Sequence, residues 1–152
     1  MKSSTIGKFA AILAIILFVA ACSKDSTPAF QGKTKTYPLY NYSNPGVPAA
    51  AGTFTITELE NGNAKGTVNL NSGFTVSGAT FQSNITFRDT AGNEFVYAPL
   101  ANVDGTTGVG ETAVITTGSS NAPISYNALI GKTGYLIKVL NGSNLQAVGT
   151  IE

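Results

Sequence analysis

GTFTITELENGNAKGTVNLN, residues Gly52 to Asn71, alternates in the way a strand does. From Gly52 to Glu60, Phe54 and Ile56 fall on one face and Thr53, Thr55 and Thr57 on the other, the period of two that marks a half-buried strand. Asn61-Gly62 then offers two residues tolerant of positive φ, as a type I′ turn requires, and Ala64 to Asn71 returns with Val68 and Leu70 facing inward. The expectation is an antiparallel hairpin.

The same texture extends from Thr36 to the C-terminus: short runs of Thr, Val, Ile, Phe and Tyr broken every eight to twelve residues or so by Gly, Asn, Asp and Ser, the pattern of a sandwich or barrel. Phe74 to Arg88 reads as one long or two broken strands, with Val76, Phe81, Ile85 and Phe87 inward and Gly78 at a bulge. Phe95 to Leu100 is short, and Pro99 assigns it to an edge or a strand end. Asp104 to Gly108 is a turn, and Glu111 to Thr117 a strand through Ala113 and Ile115 or Val114. Pro123 to Ile130 shows neither period. Tyr135 to Leu140 and Leu145 to Ile151 flank Asn141-Gly142-Ser143-Asn144, a second hairpin with Asn-Gly at its tip. The fold class is therefore all-β, with about eight strands. Some 115 residues bury roughly two-thirds of the unfolded surface, and with a single Cys no disulfide can assist.

Composition narrows the chemistry. The 152 residues contain no His and no Trp, and nine Lys plus Arg face eight Asp plus Glu. Without histidine there is no Ser-His-Asp or Cys-His triad, no His-ligated metal and no imidazole base. A net charge of +1, or −1 once Lys2 and Lys8 are set aside with the leader described next, leaves no footprint for nucleic acid.

Lys2 and Lys8 precede an uncharged run of 13 residues, Phe9 to Ala21, too short to span a bilayer. That is the build of a secretory signal peptide. Val19-Ala20-Ala21-Cys22 resembles the lipobox of bacterial lipoproteins, in which the Cys thiol takes a diacylglycerol and the leader is cut off before it. The resemblance implies a signal peptide over 1–21 and a lipidated Cys22 as the first mature residue, recognised by the peptidase through Val19, Ala20 and Ala21. A plain signal peptide with a free Cys22 is the alternative. Two or three acyl chains, such as palmitate, would hold the chain on a membrane where one would not. Ser23, by resemblance to the sorting rules of Gram-negative bacteria, favours the outer membrane, with periplasmic and surface faces both open. Residues 22–35 make a flexible tether, and 36–152 the domain.

From Thr36 to Ile151 the order of landmarks resembles a chordin-type (CHRD) domain. They run from Tyr37-Pro38-Leu39 and Gly52 to Ile56, through Leu100 to Gly105, to Ile124 to Leu129, Gly134 to Val139 and Val148 to Ile151. The resemblance implies a Greek-key β-sandwich or barrel related in fold to copper/zinc superoxide dismutase. The His-x-His pair common in that family falls on Asn84-Ile85-Thr86, and a later His on Leu140. Asn and Thr are poor copper ligands and Leu is none, so the expectation is a CHRD-like fold with no metal and no cofactor.

Tyr37, Tyr40 and Tyr42 are the candidate ligand-stacking residues, since tyrosines on an early strand can face a glycan or peptide. Packing within the sheet is the competing role. Glu58 and Glu60 share a strand face beside a tight turn, a poor geometry for paired carboxylates. Asp89 with Asn93 and Glu94, or Asn102 with Asp104, offers oxygens but not EF-hand spacing, and Asx turns account for both. Arg88, the only Arg, could read a carboxylate or sulfate bidentately, but beside Asp89 the expected role is a local surface ion pair. Gly105 to Gly110 has glycines like a phosphate loop but no Lys and no following helix. Asp25-Ser26-Thr27 and Asp89-Thr90-Ala91 look like short bacterial O-glycosylation acceptors. The expected function is a non-enzymatic, lipid-anchored envelope module that binds or scaffolds a glycan or protein partner. The alternatives are a carboxylate-dependent hydrolase of envelope glycans and an accessory or inhibitor subunit.

Overall fold

Alternating Thr and large apolar residues produce the hairpin that they call for. In the computed structural model, which describes residues 29–43 and 47–152, β1 (Thr34–Asn41), β2 (Ala49–Glu58) and β3 (Ala64–Leu70) form an antiparallel meander. β1 opens at Thr34, so Thr34 and Lys35, assigned above to the tether, lie in the first strand. Phe54, Ile56, Val68 and Leu70 face the core while Thr53, Thr55 and Thr57 remain half-buried outside.

The turn corrects the type I′ expectation. Five residues separate the last ladder pair, Glu58 and Ala64. Leu59 N–H donates to Asn63 O and Gly62 N–H to Leu59 O, both at 2.8 Å, and only Gly62 takes positive φ, at 79°. This is the three-residue loop with a glycine in the left-handed position. Asn61 keeps an ordinary φ and instead accepts the Asn63 N–H on its side chain at 3.1 Å.

The remaining elements are β4 (Thr80–Arg88), β5 (Glu94–Pro99), β6 (Val103–Asp104), β7 (Val109–Thr112), α1 (Tyr126–Ile130), β8 (Leu136–Asn141) and β9 (Asn144–Thr150). Hydrogen-bonded order across the sheet is β5-β4-β8-β9-β1-β2-β3-β7, with β6 also paired to β4. The sheet curls into a half-barrel. β3 lies beside β7 rather than beside its successor in the chain, β4, so the chain crosses over between β3 and β4. β5 and β6 share one edge of β4, along Asn84 to Arg88 and along Thr80-Phe81 respectively. At the β6–β7 corner the backbones nearly touch: a Cβ on Gly110 would lie 2.9 Å from Val103 Cγ2 and 3.0 Å from Asn102 O. Ala101 N–H donates to Thr112 Oγ1 across the same corner at 2.8 Å.

Inside the curl, Leu39, Phe54, Ile56, Phe81, Ile85, Ile115, Leu129 and Ile137 are fully buried. Each such side chain contributes about 1.5–3 kcal/mol relative to exposure, so packing alone can hold the domain. Three segment assignments change. Before β4 the chain makes a 3-10 turn at Ser72–Phe74, Val76 is exposed, and Gly78 (φ 75°) sits in a turn rather than a bulge. The reason is backbone pairing: Val76 N–H donates to Gly105 O and Ala79 N–H to Val76 O, so this stretch bonds to a loop and to itself. β7 ends at Thr112, leaving Ala113 and Val114 exposed. Ile115 is buried nonetheless, because its N–H reaches Ala64 O and its carbonyl takes the Ile124 N–H. The stretch without a period resolves into the five-residue α1, whose N-cap Ser125 accepts the Ala128 N–H.

β8 and β9 form the second hairpin. Asn141 pairs with Asn144, so Gly142-Ser143 makes the tip rather than Asn141-Gly142. Positive φ at Gly142 (59°) and not at Ser143 is the pattern of a type II′ turn.

Candidate functional site

Strand parity divides the three tyrosines. Side chains alternate across a sheet, so residues two apart share a face and residues three apart do not. Tyr37 points inward with Leu39 and is 3% exposed, whereas Tyr40 and Tyr42 point outward, Tyr42 being 57% exposed. Burial pushes the Tyr37 hydroxyl above its ordinary pKa, with Tyr126 adding to the shift. Lys35 Nζ lies 5.2 Å from the Tyr37 ring centroid and donates to the Glu152 carbonyl. Tyr37 is thus a core residue, while Tyr40 and Tyr42 stand together on the convex face.

Those two flank a groove where β1 and β9 part. The two strands pair only at Tyr40 and Val148. Pro38 has no N–H, and its carbonyl points at β9, since a Cβ on Gly149 would lie 2.5 Å from Pro38 O. Backbone N–H and C=O of one residue project to the same side of a strand, so the missing donor also falls on this seam. The ladder ends there. A groove of about 510 Å³ remains, with Thr36, Pro38, Tyr40, Tyr42, Leu136 and Val148 in its lining.

A second aromatic cluster went unseen in the sequence. Phe87 and Phe95 are directly opposite in the β4–β5 ladder, with ring centroids 5.5 Å apart. Tyr135, entering β8 on the other side of β4, stacks on Phe87 at 5.4 Å and meets the edge of Tyr97 at 5.0 Å. Lys132 Nζ lies 5.2 Å from the Tyr97 ring and 5.7 Å from the Tyr135 ring. Phe87 continues the inward row of Phe81 and Ile85 past the end of the core, so the cluster occupies the mouth of the half-barrel.

Among the described residues the acids do not converge. Asp89 accepts from Asn93 Nδ2 at 2.9 Å, Asn93 N–H at 2.8 Å and Ala91 N–H at 2.9 Å, and these bonds, the Asn93 side chain first, hold its pKa below the ordinary value. Asp104 accepts from Thr106 and Thr107 N–H and is lowered likewise, Thr107 contributing most. Both are the Asx turns expected. Glu94 lies between Lys138, 2.6 Å away, and Arg88 at 3.6 Å. The Lys138 hydrogen bond leads in lowering its pKa, burial opposes it, and the charges of Lys138 and Arg88 assist. Arg88 therefore pairs with Glu94 and not with Asp89, because Arg88 and Glu94 are ladder partners while Asp89 caps its own turn. Glu58 meets Lys33 at 3.7 Å and Glu111 meets Lys65 at 2.6 Å. Glu60 lies in the turn beyond β2, so it and Glu58 do not share a strand face.

Among the described residues no group of three or more Cys, Asp or Glu is placed to hold a metal, and no helix is long and apolar enough to cross a membrane. Asn84 and Thr86 flank the buried Ile85 on β4, and Leu140 pairs with Gln82 on the adjacent β8. Lys2, Lys8, Val19, Ala20, Ala21, Cys22, Ser23 and Asp25-Ser26-Thr27 lie outside the described residues. No family model, curated protein or solved structure matches the chain.

Proposed function

We propose that this chain is a lipid-anchored module of the bacterial cell envelope, a CHRD-like domain that binds or scaffolds without catalysis and without a metal. The leader with its Val19-Ala20-Ala21-Cys22 box supports the anchor. The all-β half-barrel with its β3–β4 crossover supports the family reading, and Asn84, Thr86 and Leu140 at the positions of its histidines support a metal-free version. A binding role rests on one observation: the interrupted β1–β9 ladder leaves a groove flanked by the outward Tyr40 and Tyr42. Tyrosine supplies a large rigid face and a hydroxyl at low entropic cost, which suits contact with a glycan or an extended protein segment. Glu58, Glu94 and Glu111, each paired with a cation, and Asp89 and Asp104, each held in its own turn, favour binding over carboxylate-dependent hydrolysis.

Fractionation with intact-mass measurement tests the anchor. The native protein should stay in the membrane pellet and carry acyl mass on a chain beginning at Cys22, and Cys22→Ala should move to the soluble fraction. Retention of Cys22→Ala in the pellet, or an unacylated mature mass, refutes it. For the groove, Tyr42→Ala should lose envelope material that cross-links to the wild-type convex face; an unchanged cross-linking pattern refutes that part.

A further inference from the structure

The mouth of the half-barrel carries features that packing does not require. A hydrophobic plug would bury its rings, yet Phe95 is 47% exposed beside the stacked Phe87 and Tyr135. The cleft among these rings measures about 420 Å³ and is rimmed by Thr117 and Ser119, within the range of roughly 300–1,000 Å³ typical of small-ligand sites. The cleft's own lining is uncharged, and a cation stands beside it over two of the lining rings. Lys132 sits over Tyr97 and Tyr135 and forms no ion pair among the described residues. The nearby Glu94 is already shared by Lys138 and Arg88.

We propose that this mouth binds an acidic carbohydrate, a sugar ring stacking its C–H face on the half-exposed Phe95 ring at the end of the Phe87–Phe95–Tyr135 stack with its carboxylate on Lys132. Aromatic faces are electron-rich and attract the polarised C–H bonds of a sugar as they attract the ammonium already over them. The Thr117 and Ser119 hydroxyls can donate to and accept from ring hydroxyls. The unpaired cation selects the acidic sugar over a neutral one, since a charged hydrogen bond desolvated against aromatic walls is worth more than one in open water. This site is on the core face of β4 and β5, separate from the Tyr40–Tyr42 groove, and it stands or falls independently of the anchor.

Calorimetric titration of the full chain in mild detergent tests it, with tetragalacturonate as the acidic probe and maltotetraose as the neutral one. Tetragalacturonate should bind at least roughly tenfold tighter, and Lys132→Gln should erase that preference. Phe95→Ala should weaken both probes, and Tyr42→Ala should change neither. Phe95→Leu, which keeps an apolar side chain, serves if the alanine variant melts early, and it too should weaken binding. Absence of binding by tetragalacturonate at millimolar concentration overturns the proposal. So does equal affinity for the two probes, or binding that Lys132→Gln leaves intact. Self-association of the wild type that Phe95→Ala abolishes would assign the patch to a second copy of the chain and overturn it as well.

Discussion

Replacing Gly149 by Ala puts a methyl group 2.5 Å from the Pro38 carbonyl oxygen and 2.9 Å from Leu39 Cδ2. The first of these is main chain and cannot swing aside. To recover an ordinary contact of 3.4 Å, the Pro38 oxygen must retreat by about 0.9 Å, the difference between that distance and 2.5 Å. The shift falls beside the Tyr40–Val148 pair that joins β1 to β9, and Asn41 Nδ2, donating to Gln146 O, fastens the same seam, so Pro38 is not free to retreat. Overpacking a well-filled site by one methyl costs about 1–3 kcal/mol. At about 3–5 °C per kcal/mol for a domain of this size, Tm should fall by about 3–15 °C. Gly73→Ala is the matched control: a Cβ there meets nothing within 4 Å, and its φ is ordinary. Thermal melts followed by far-ultraviolet circular dichroism on both variants decide the matter. A Gly149→Ala protein melting within about 1 °C of wild type would show that the β1–β9 seam is loose, and the account of the groove as a fixed gap between two held strands would be wrong.

The acid limb of stability follows from Asp89, Glu94 and Asp104, all lowered from ordinary values of 3.8, 4.5 and 3.8. A depressed folded pKa stabilises above the unfolded value and loses that contribution as pH falls through the folded one, so Tm should hold down to about pH 5 and then decline below about pH 4.5. Asp104→Ala should lower the plateau and flatten the decline; an acid limb identical to wild type would refute its role as a turn cap. Phe54→Ala empties a fully buried site and should cost about 3–5 kcal/mol, read as a lower urea midpoint at unchanged m. A loss below about 1 kcal/mol would mean that the core collapses around the gap.

Local chemistry carried much of this protein in legible form. Alternation in β2, the pairing of both hairpins and the edge position of Pro99 on β5 each depend on neighbours along the chain and appear where the sequence places them, while the turn at each hairpin tip differs from the type I′ Asn-Gly expected. The errors fall where distant backbone intervened. Val76 reads as a strand residue but bonds to Gly105, and Ile115 is drawn inward by Ala64 and Ile124. Arg88 stands next to Asp89 in sequence yet pairs with Glu94, its ladder partner. For the candidate site the parity of Tyr37 against Tyr40 and Tyr42 was readable, since three positions along a strand reverse the face. The cluster of Phe87, Phe95, Tyr97, Tyr135 and Lys132 was not, because it draws on β4, β5 and the chain leading into β8.

Composition and period by themselves establish a histidine-free, strand-built domain, because both are properties of single residues and their nearest neighbours. Where the curled sheet limits β1 and β9 to a single ladder pair, and which rings gather at its mouth, depend on register between strands tens of residues apart. Register is settled by burying one face of every strand together, and that burial exists only once the sheet has curled.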